Sequence, residues 1–179
     1  GMRSHQPASI NYQTNTGGAV TSWAINASLP SGLSFSTTNG SIYGTPTELW
    51  TQTSYMVWAN NSGGSSVAYL NITVVDELPT LSYSPSTLLM TMGNQSSDLP
   101  LNATLNGSGV IISWEINPTL PAGLSFGTSN GTIWGIPTVL QPTTTVYTVW
   151  ANNTGGSTSA TINLTIIDEP PGPFEYIPD

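Results

Sequence analysis

The sequence predicts an all-β protein made of two β-sandwich domains in tandem. The chain repeats itself: Trp114 lies 91 residues after Trp23 (114 minus 23), and Trp150 lies 92 after Trp58 (150 minus 58). Within each repeat, short stretches alternate apolar and polar residues, which is typical of strands with one buried face. Turn signals separate these stretches at intervals of about 8–12 residues, a pattern that favours a sandwich over a helical fold.

The repeats set the expected domain boundaries. We assign residues 1–77 to the first domain and residues 78–169 to the second. Residues 170–179 are the start of a third repeat or a linker tail, because DEPPGPFEYIPD echoes the earlier DELPTLSY. The first domain lacks the leading strand that LPTLSYSPSTLLMTMG supplies to the second, with Pro7 aligned to Pro100. The opening residues read as mid-domain sequence, so we expect a piece of a longer polypeptide.

The first strand pattern predicts a tryptophan between the sheets of each domain. Ile112, Trp114 and Ile116 share one strand face, and Trp23 with Ile25 repeats that face in the first domain. An indole fills the space between two sheets well. We therefore expect both tryptophans to be buried.

The later strands show the same alternation. Tyr55, Val57 and Ala59 face inward, and the dipeptides Asn39-Gly40 and Asn130-Gly131 close the preceding hairpins. The last strand of each domain turns a row of small and branched side chains inward: Ala68, Leu70, Ile72 and Val74, then Ala160, Ile162, Leu164 and Ile166.

Composition excludes several classes of partner. Apolar residues make up 37% of the chain, charged residues only 6%, and the formal net charge is -8, with Arg3 the single basic residue other than His5. Such a chain has no basic surface for nucleic-acid phosphates or an anionic membrane. Neither nucleic-acid binding nor direct membrane insertion is expected. The absence of cysteine removes disulfides and thiolate metal sites.

Specific strings in both repeats point to a known family. Both repeats resemble the "putative Ig" repeat of bacterial and archaeal surface proteins, from about Ile10 to Asp168. The resemblance rests on the strings LPSGLSF, TTNGSIYGTPT and NNSGGSS and on their counterparts in the second repeat. That family is a relative of the dystroglycan-type cadherin-like modules. The resemblance implies two immunoglobulin-like sandwiches, arranged in arrays on large secreted or cell-surface proteins as a spacer or adhesive stalk. It implies no active site.

Catalysis is not expected. The one histidine, His5, lies in an N-terminal segment that we expect to be frayed, and no carboxylate is paired with it in the sequence. No nucleophile elbow, HExxH motif or P-loop is present. We therefore predict that the chain is not an enzyme and requires no cofactor.

Calcium is the metal that the sequence favours. Carboxylates recur where the repeats join, and cadherin-like relatives bind calcium at such junctions. The candidate ligands are Asp76, Glu77, Asp98, Asp168 and Glu169. The alternative is a solvated acidic linker, because complete ligand motifs of the DxD or DxNDN type are absent.

Two kinds of surface site are also predicted. N-x-S/T sequons, the acceptor motif of N-glycosylation, occur at corresponding positions of the two repeats. They mark candidate glycosylation sites at Asn60, Asn71, Asn152 and Asn163. Outward-facing Trp58 and Trp150, with Tyr69 beside the first, are candidates for stacking on sugar rings. The alternatives are chance sequons in an Asn-rich chain and aromatic residues that only stabilise the sheet.

The leading functional hypothesis is a non-enzymatic spacer of a large extracellular or cell-surface protein, supporting adhesion or display. The alternative is an adhesion module that binds glycans or surface proteins through Trp58 and Trp150. In either case neighbouring repeats of the same polypeptide are the expected partners. The open edge of the first domain also predicts strand exchange with another copy of the chain.

Overall fold

A computed structural model describes residues 1–11 and 15–176 of the chain, and these residues form two compact units. The first unit contains Gly1–Leu78 together with Ser108–Val110, and the second contains Pro79–Gly107 and Ile111–Asp179. All regular structure in the described residues is β-strand, which confirms the all-β prediction. Accordingly, the described part of the chain offers no apolar helix of membrane-spanning length.

The first unit is a two-sheet sandwich of short and long strands. Its strands are β1 (Met2–Arg3), β2 (Ala8–Ile10), β3 (Ser22–Ile25), β4 (Leu33–Phe35), β5 (Ile42–Gly44), β6 (Trp50–Asn61) and β7 (Gly64–Val75). One sheet has the order β1-β7-β6-β3 and the other has the order β2-β5-β4. Strand β1 pairs in parallel with β7, whereas the other pairs are antiparallel.

The second unit repeats this arrangement with additional strand length at its start. Its strands are β8 (Thr80–Tyr83), β9 (Thr87–Thr91), β10 (Ala103–Asn106), β11 (Ser113–Asn117), β12 (Leu124–Phe126), β13 (Ile133–Gly135), β14 (Gln141–Asn153) and β15 (Gly156–Ile167). One sheet has the order β11-β14-β15-β9. Opposite it lie the pairs β10-β8 and β12-β13, and Leu101 extends the second pair by bridging to Ile133.

Trp114 is the centre of the second unit's core. Its ring is 6% exposed and packs against Gly131, where a Cβ atom would lie 2.5 Å from the indole. The Tyr83 hydroxyl from β8 donates a hydrogen bond of 2.7 Å to the Gly131 carbonyl, and burial raises the pKa of Tyr83 so that the donor stays protonated. Around it the buried cluster extends through both sheets. The prediction of a buried indole is confirmed for this unit.

The first unit is packed less completely. Trp23 is only half-buried, so the expectation that it would be as buried as Trp114 is wrong. The fully buried cluster is limited to Ile42, Tyr55, Ile72 and Val74. In β7 the predicted inward row is buried at Ile72 and Val74, half-buried at Leu70 and exposed at Ala68. One corner of this sandwich is therefore open.

Ile112 also departs from the prediction. The sequence pattern assigned it to the buried face of Trp114, but its side chain is 68% exposed. Strand β11 begins one residue later, at Ser113, although the Ile112 amide still donates to the Asn152 carbonyl. Alternation holds only within the paired strand, because the preceding loop does not follow the pleat.

The two units differ at their leading strands. In the second unit β9 pairs in parallel with β15 over five residues, from Asn163 opposite Thr87 to Ile167 opposite Thr91. In the first unit the equivalent pairing is limited to two residues of β1, which lie opposite Val74 and Val75. No counterpart of β8 occurs in the first unit among residues 1–11 and 15–78.

The structural register also corrects the alignment of the two domain starts. Ile10 pairs with Ile42 in the first unit, and Leu101 bridges to Ile133 in the second. Ser9 is therefore the counterpart of Pro100, and the predicted alignment of Pro7 with Pro100 was displaced by two residues. The same register explains two equivalent hydrogen bonds, from Ser41 to Asn11 and from Thr132 to Asn102.

The contact between Gly131 and Trp114 gives a first prediction. Gly131→Ala should destabilise the second unit by about 2–5 kcal/mol, because the backbone has a φ of +70° and the added methyl group collides with the indole. Gly93→Ala is the matched control. Its φ is +79° but nothing lies within 4 Å of the added Cβ. This variant should lose only about 1–2 kcal/mol for the left-handed backbone.

Chemical denaturation of both variants measures the difference between them. If Gly131→Ala and Gly93→Ala lose the same unfolding free energy, the added methyl group at Gly131 is accommodated beside Trp114 at no cost. The close packing of this glycine against the indole would then be unimportant for stability.

The unequal cores give a second prediction. Backbone amides at the centres of β6 and β7 should exchange with deuterium at least about tenfold faster than those of β14 and β15, because the first unit buries fewer apolar groups. Site-resolved hydrogen exchange on the intact chain provides the measurement. Equal protection factors in the two strand pairs would contradict the inferred stability difference.

Candidate functional site

The strand register decides which predicted aromatic residues are neighbours. Trp58 lies on β6 opposite Ala24 on one side and Val67 on the other. Tyr69 pairs with Met56, two residues from Trp58, so its position is diagonal to the indole on the outer face. Tyr69 is 68% exposed, whereas Trp58 is half-buried. The accessible part of this pair is therefore mainly the tyrosine.

Trp150 occupies the equivalent position on β14 in the second unit. It lies opposite Glu115 and Ser159 and is half-buried, like Trp58. The prediction that these two indoles would be exposed is thus only partly correct, because cross-strand neighbours cover part of each ring. The two belong to separate units, and each must be considered as a site of its own.

Two other aromatic residues are more accessible than the predicted indoles. Tyr43 on β5 is 50% exposed and Trp134 on β13 is 44% exposed. Both belong to the sheet opposite the one that contains Trp58 or Trp150. They therefore cannot extend the outer face formed by Trp58 and Tyr69.

The predicted calcium ligands do not form a cluster in the structure. Within residues 1–11 and 15–176, no three His, Asp or Glu side chains are grouped so that they could hold a metal ion. Asp76 is buried, and its backbone carbonyl accepts a hydrogen bond of 3.1 Å from the Arg3 guanidinium. Asp168 caps the amide of Glu169, and Asp98 lies in an exposed loop. Calcium binding stays a prediction, and the geometry does not support it.

Glu77 instead organises a polar contact within the first unit. Its carboxylate accepts hydrogen bonds from the Ser108 hydroxyl at 2.6 Å and from the Gln6 amide at 3.1 Å. The bonds to Ser108 lower the pKa of Glu77 below its ordinary value, because they stabilise the ionised form. Sequence analysis missed Ser108 and Gln6, since partners 31 and 71 residues away carry no local signal.

The four predicted glycosylation sites differ in how their side chains are used. The Asn152 amide nitrogen donates to Glu115 at 2.9 Å and to Ser113 at 3.2 Å, and that of Asn163 donates to Thr87 at 3.4 Å. A glycan attached to either nitrogen would disturb these bonds. Asn60 uses its oxygen to accept from Ser65, and Asn71 is exposed. Glycosylation stays a prediction at all four.

His5 is held more firmly than expected. The sequence predicted a frayed segment, but Ser4 is buried and donates its amide to the Val75 carbonyl at 2.8 Å. The amide of His5 donates to the Pro46 carbonyl at 2.9 Å. Strand pairing by β1 therefore anchors this end of the chain, and the imidazole of His5 is exposed.

The Glu77 contact gives a third prediction. A pH titration followed by NMR should give Glu77 a pKa below that of an ordinary glutamate, and Ser108→Ala should raise this pKa because the hydrogen bonds to the carboxylate are weakened. At pH values above the pKa that Glu77 has in the unfolded chain, the ionised carboxylate stabilises the fold. This stabilisation is lost as the pH falls through the lower pKa of the folded state. Glu48 is the internal control, because its pKa is lowered by Ser31 and should not respond to Ser108→Ala. An unchanged Glu77 pKa in the variant would contradict this assignment.

Comparison with known proteins agrees with the fold. The family described as "Putative Ig domain" matches residues 2–75 and 78–167. The chain is 31% identical over 167 residues to the serine-rich adhesin for platelets of Staphylococcus aureus N315, covering 89% of this chain and 7% of the adhesin. The same adhesin of strain MRSA252 is also 31% identical, with 12% of its length covered. The chain thus spans a small part of these relatives.

Solved structures give only a loose superposition. Drosophila OTK extracellular domains 3–5 match with a TM-score of 0.49 and 15% identity, covering 93% of this chain and 58% of that one. The eight N-terminal Ig domains of Down Syndrome Cell Adhesion Molecule match with a TM-score of 0.42. The family match, repeated once per unit, carries the assignment. The chain belongs to the "Putative Ig domain" family and consists of two immunoglobulin-like β-sandwiches in tandem.

Proposed function

We propose that this chain is a non-enzymatic, load-bearing spacer of an extracellular or cell-surface adhesin, which holds a binding domain away from its anchor. Similarity to part of a surface adhesin supports the location. The observation that carries the mechanical role is the parallel pairing of the leading strand with the last strand in each unit.

This pairing determines how a pulling force acts on a unit. The strand that pairs with the last strand lies near the N-terminal attachment, preceded only by β8 in the second unit, and the last strand is next to the C-terminal attachment. Because β9 and β15 run in the same direction, pulling the two ends apart slides one strand along the other. The hydrogen bonds between them then share the load instead of opening one by one. A sandwich loaded in this way transmits force while its core stays closed.

The two units should differ in strength for the same reason. The second unit has five residue pairs between its leading and last strands, whereas the first has two. The first unit also has the smaller buried cluster. When this chain is pulled, the first unit should open before the second unit yields.

Single-molecule pulling on the intact chain tests this proposal. We expect two unfolding events, with total extended lengths of about 25 nm for residues 2–75 and 30 nm for residues 78–167 before the folded lengths are subtracted. The shorter event should occur at the lower force. Trp114→Ala should weaken the longer event alone, because that indole belongs to the second core. A single event, or a longer event that precedes the shorter one, would overturn the mechanical model.

A second candidate function is sugar binding by the outer face of Trp58 and Tyr69. The exposure of Tyr69 diagonal to an indole favours it, since sugar rings stack on such surfaces. On a glycan array, this alternative predicts binding that Tyr69→Ser weakens and that Tyr43→Ser, on the opposite sheet, leaves intact. Trp150→Ala tests the equivalent position of the second unit. Absence of array binding by the unmodified chain would leave the spacer proposal alone.

A further inference from the structure

The chain contains three Asn-Gly pairs with nearly the same local sequence. In each pair the glycine is followed by a residue with a hydroxyl group, and the triplets are Asn39-Gly40-Ser41, Asn106-Gly107-Ser108 and Asn130-Gly131-Thr132. All three asparagines are exposed, so access to water does not distinguish them. They differ in how the fold holds the two groups that can react with each other.

An asparagine that precedes a glycine can lose its side-chain amide without a catalyst. The backbone nitrogen of the glycine attacks the side-chain carbonyl carbon, and the side-chain nitrogen leaves as ammonia with the proton of the glycine amide. A five-membered succinimide ring results, and water opens it at one of its two carbonyls to give aspartate or isoaspartate. Glycine favours the attack because it has no Cβ and its backbone rotates freely. A fold that fixes the nitrogen or the side chain opposes the reaction.

The turn of the first unit fixes both groups. The Gly40 amide nitrogen, which would have to attack, donates to the Ser36 carbonyl at 2.9 Å. The Asn39 side chain accepts a hydrogen bond of 3.0 Å from the Ser41 amide through its Oδ1 atom. Gly40 also lies against the Trp23 indole, where a Cβ atom would be 2.5 Å from the ring. The Asn39-Gly40 pair is therefore restrained.

The equivalent turn of the second unit is fixed in the same way. The Gly131 amide donates to the Gly127 carbonyl at 2.7 Å, and the Asn130 Oδ1 atom accepts from the Thr132 amide at 3.1 Å. The Gly131 carbonyl is held as well, by the Tyr83 hydroxyl at 2.7 Å. Ring closure at Asn130 would require these bonds to break first.

The Asn106-Gly107 pair lacks such restraints. Asn106 is the last residue of β10 and pairs with Thr80 at the end of the ladder, and Gly107 follows outside the strand with a φ of +128°. Among residues 1–11 and 15–176, no hydrogen bond is formed by the Asn106 side chain or by the Gly107 amide. Both reacting groups are thus free of the bonds that hold the other two pairs.

We propose that Asn106 is a site of spontaneous modification, at which the Gly107 nitrogen closes a succinimide ring and water opens this ring to aspartate or isoaspartate. Local sequence alone assigns the same reactivity to all three pairs. The hydrogen bonds of the fold select this one. The inference does not depend on the spacer function.

Conversion of Asn106 changes both charge and strand pairing. The formal net charge falls from -8 to -9, because a neutral amide becomes a carboxylate (-8 minus 1). Isoaspartate also adds one carbon atom to the main chain within the last residue of β10, so this residue cannot keep its register with Thr80. The end of the β10-β8 pair is thereby loosened, and β8 is the strand that supplies Tyr83 to the Trp114 core.

Incubation of the folded, intact chain at mildly alkaline pH, followed by peptide mapping, measures conversion at each pair. Asn39 and Asn130 should convert at least about tenfold more slowly than Asn106, because two hydrogen bonds must break before either ring can close. The same chain in concentrated urea is the control. All three pairs should then convert at similar rates, since their local sequences are nearly identical.

The charge change gives an independent measurement. Native charge-resolved electrophoresis of the unmodified chain should show a more acidic species that accumulates with time. Asn106→Gln should suppress this species, because the longer side chain would have to form a less favourable six-membered ring. Asn39→Gln is the matched control and should leave the accumulation unchanged.

Three outcomes would overturn the proposal. The first is conversion of Asn39 or Asn130 as fast as Asn106 in the folded chain. The second is an Asn106 that converts much more slowly in the folded chain than in urea, which would show that the fold restrains it too. The third is an acidic species that accumulates equally fast in Asn106→Gln and in the unmodified chain.

Discussion

The structure depends on how completely the indole between the two sheets of each sandwich is covered. In the second unit Trp114 is enclosed by a glycine that lets the opposite backbone approach and by Tyr83 from β8. In the first unit Trp23 has the equivalent glycine, Gly40, but no counterpart of Tyr83 among the described residues. The rest of the fold is nearly the same in both units. The presence of β8 therefore decides which unit is closed.

This single difference determines how much apolar surface each unit leaves uncovered. A sandwich needs apolar side chains on both inner faces, and removing one strand exposes those it covered. Among the described residues the first unit has no counterpart of β8, so Ala68 and Trp23 are accessible, and β1 forms fewer pairs with β7 than β9 forms with β15. The first unit accordingly has the smaller buried cluster of the two.

Several polar side chains that the sequence marks as candidate sites make hydrogen bonds within the fold. Glu77, Asn152 and Asn163 look like ligand or modification sites in the sequence, yet in the structure their side chains hold loops and strands in place. A chain with 6% charged residues relies on neutral and charge-assisted hydrogen bonds of this kind to organise its surface.

Much of the candidate surface could be predicted from spacing, because strand alternation assigns side chains to faces. Trp58 and Tyr69 lie on neighbouring strands, as the alternation predicted. How exposed each ring is could not be predicted, since exposure depends on residues across the strand. The partners of Glu77 were equally hidden, because Gln6 and Ser108 are brought to it only by folding.

The sequence by itself determined the all-β class, the tandem repeat and the family, because periodicity and turn residues are local properties that a repeat states twice. The tertiary structure alone decided which copy of the tryptophan is buried, where β1 and β9 join the last strand, and that one corner of the first unit is open. These features arise from packing between residues far apart in the chain. A local pattern specifies the face of a strand, but it does not specify what covers that face.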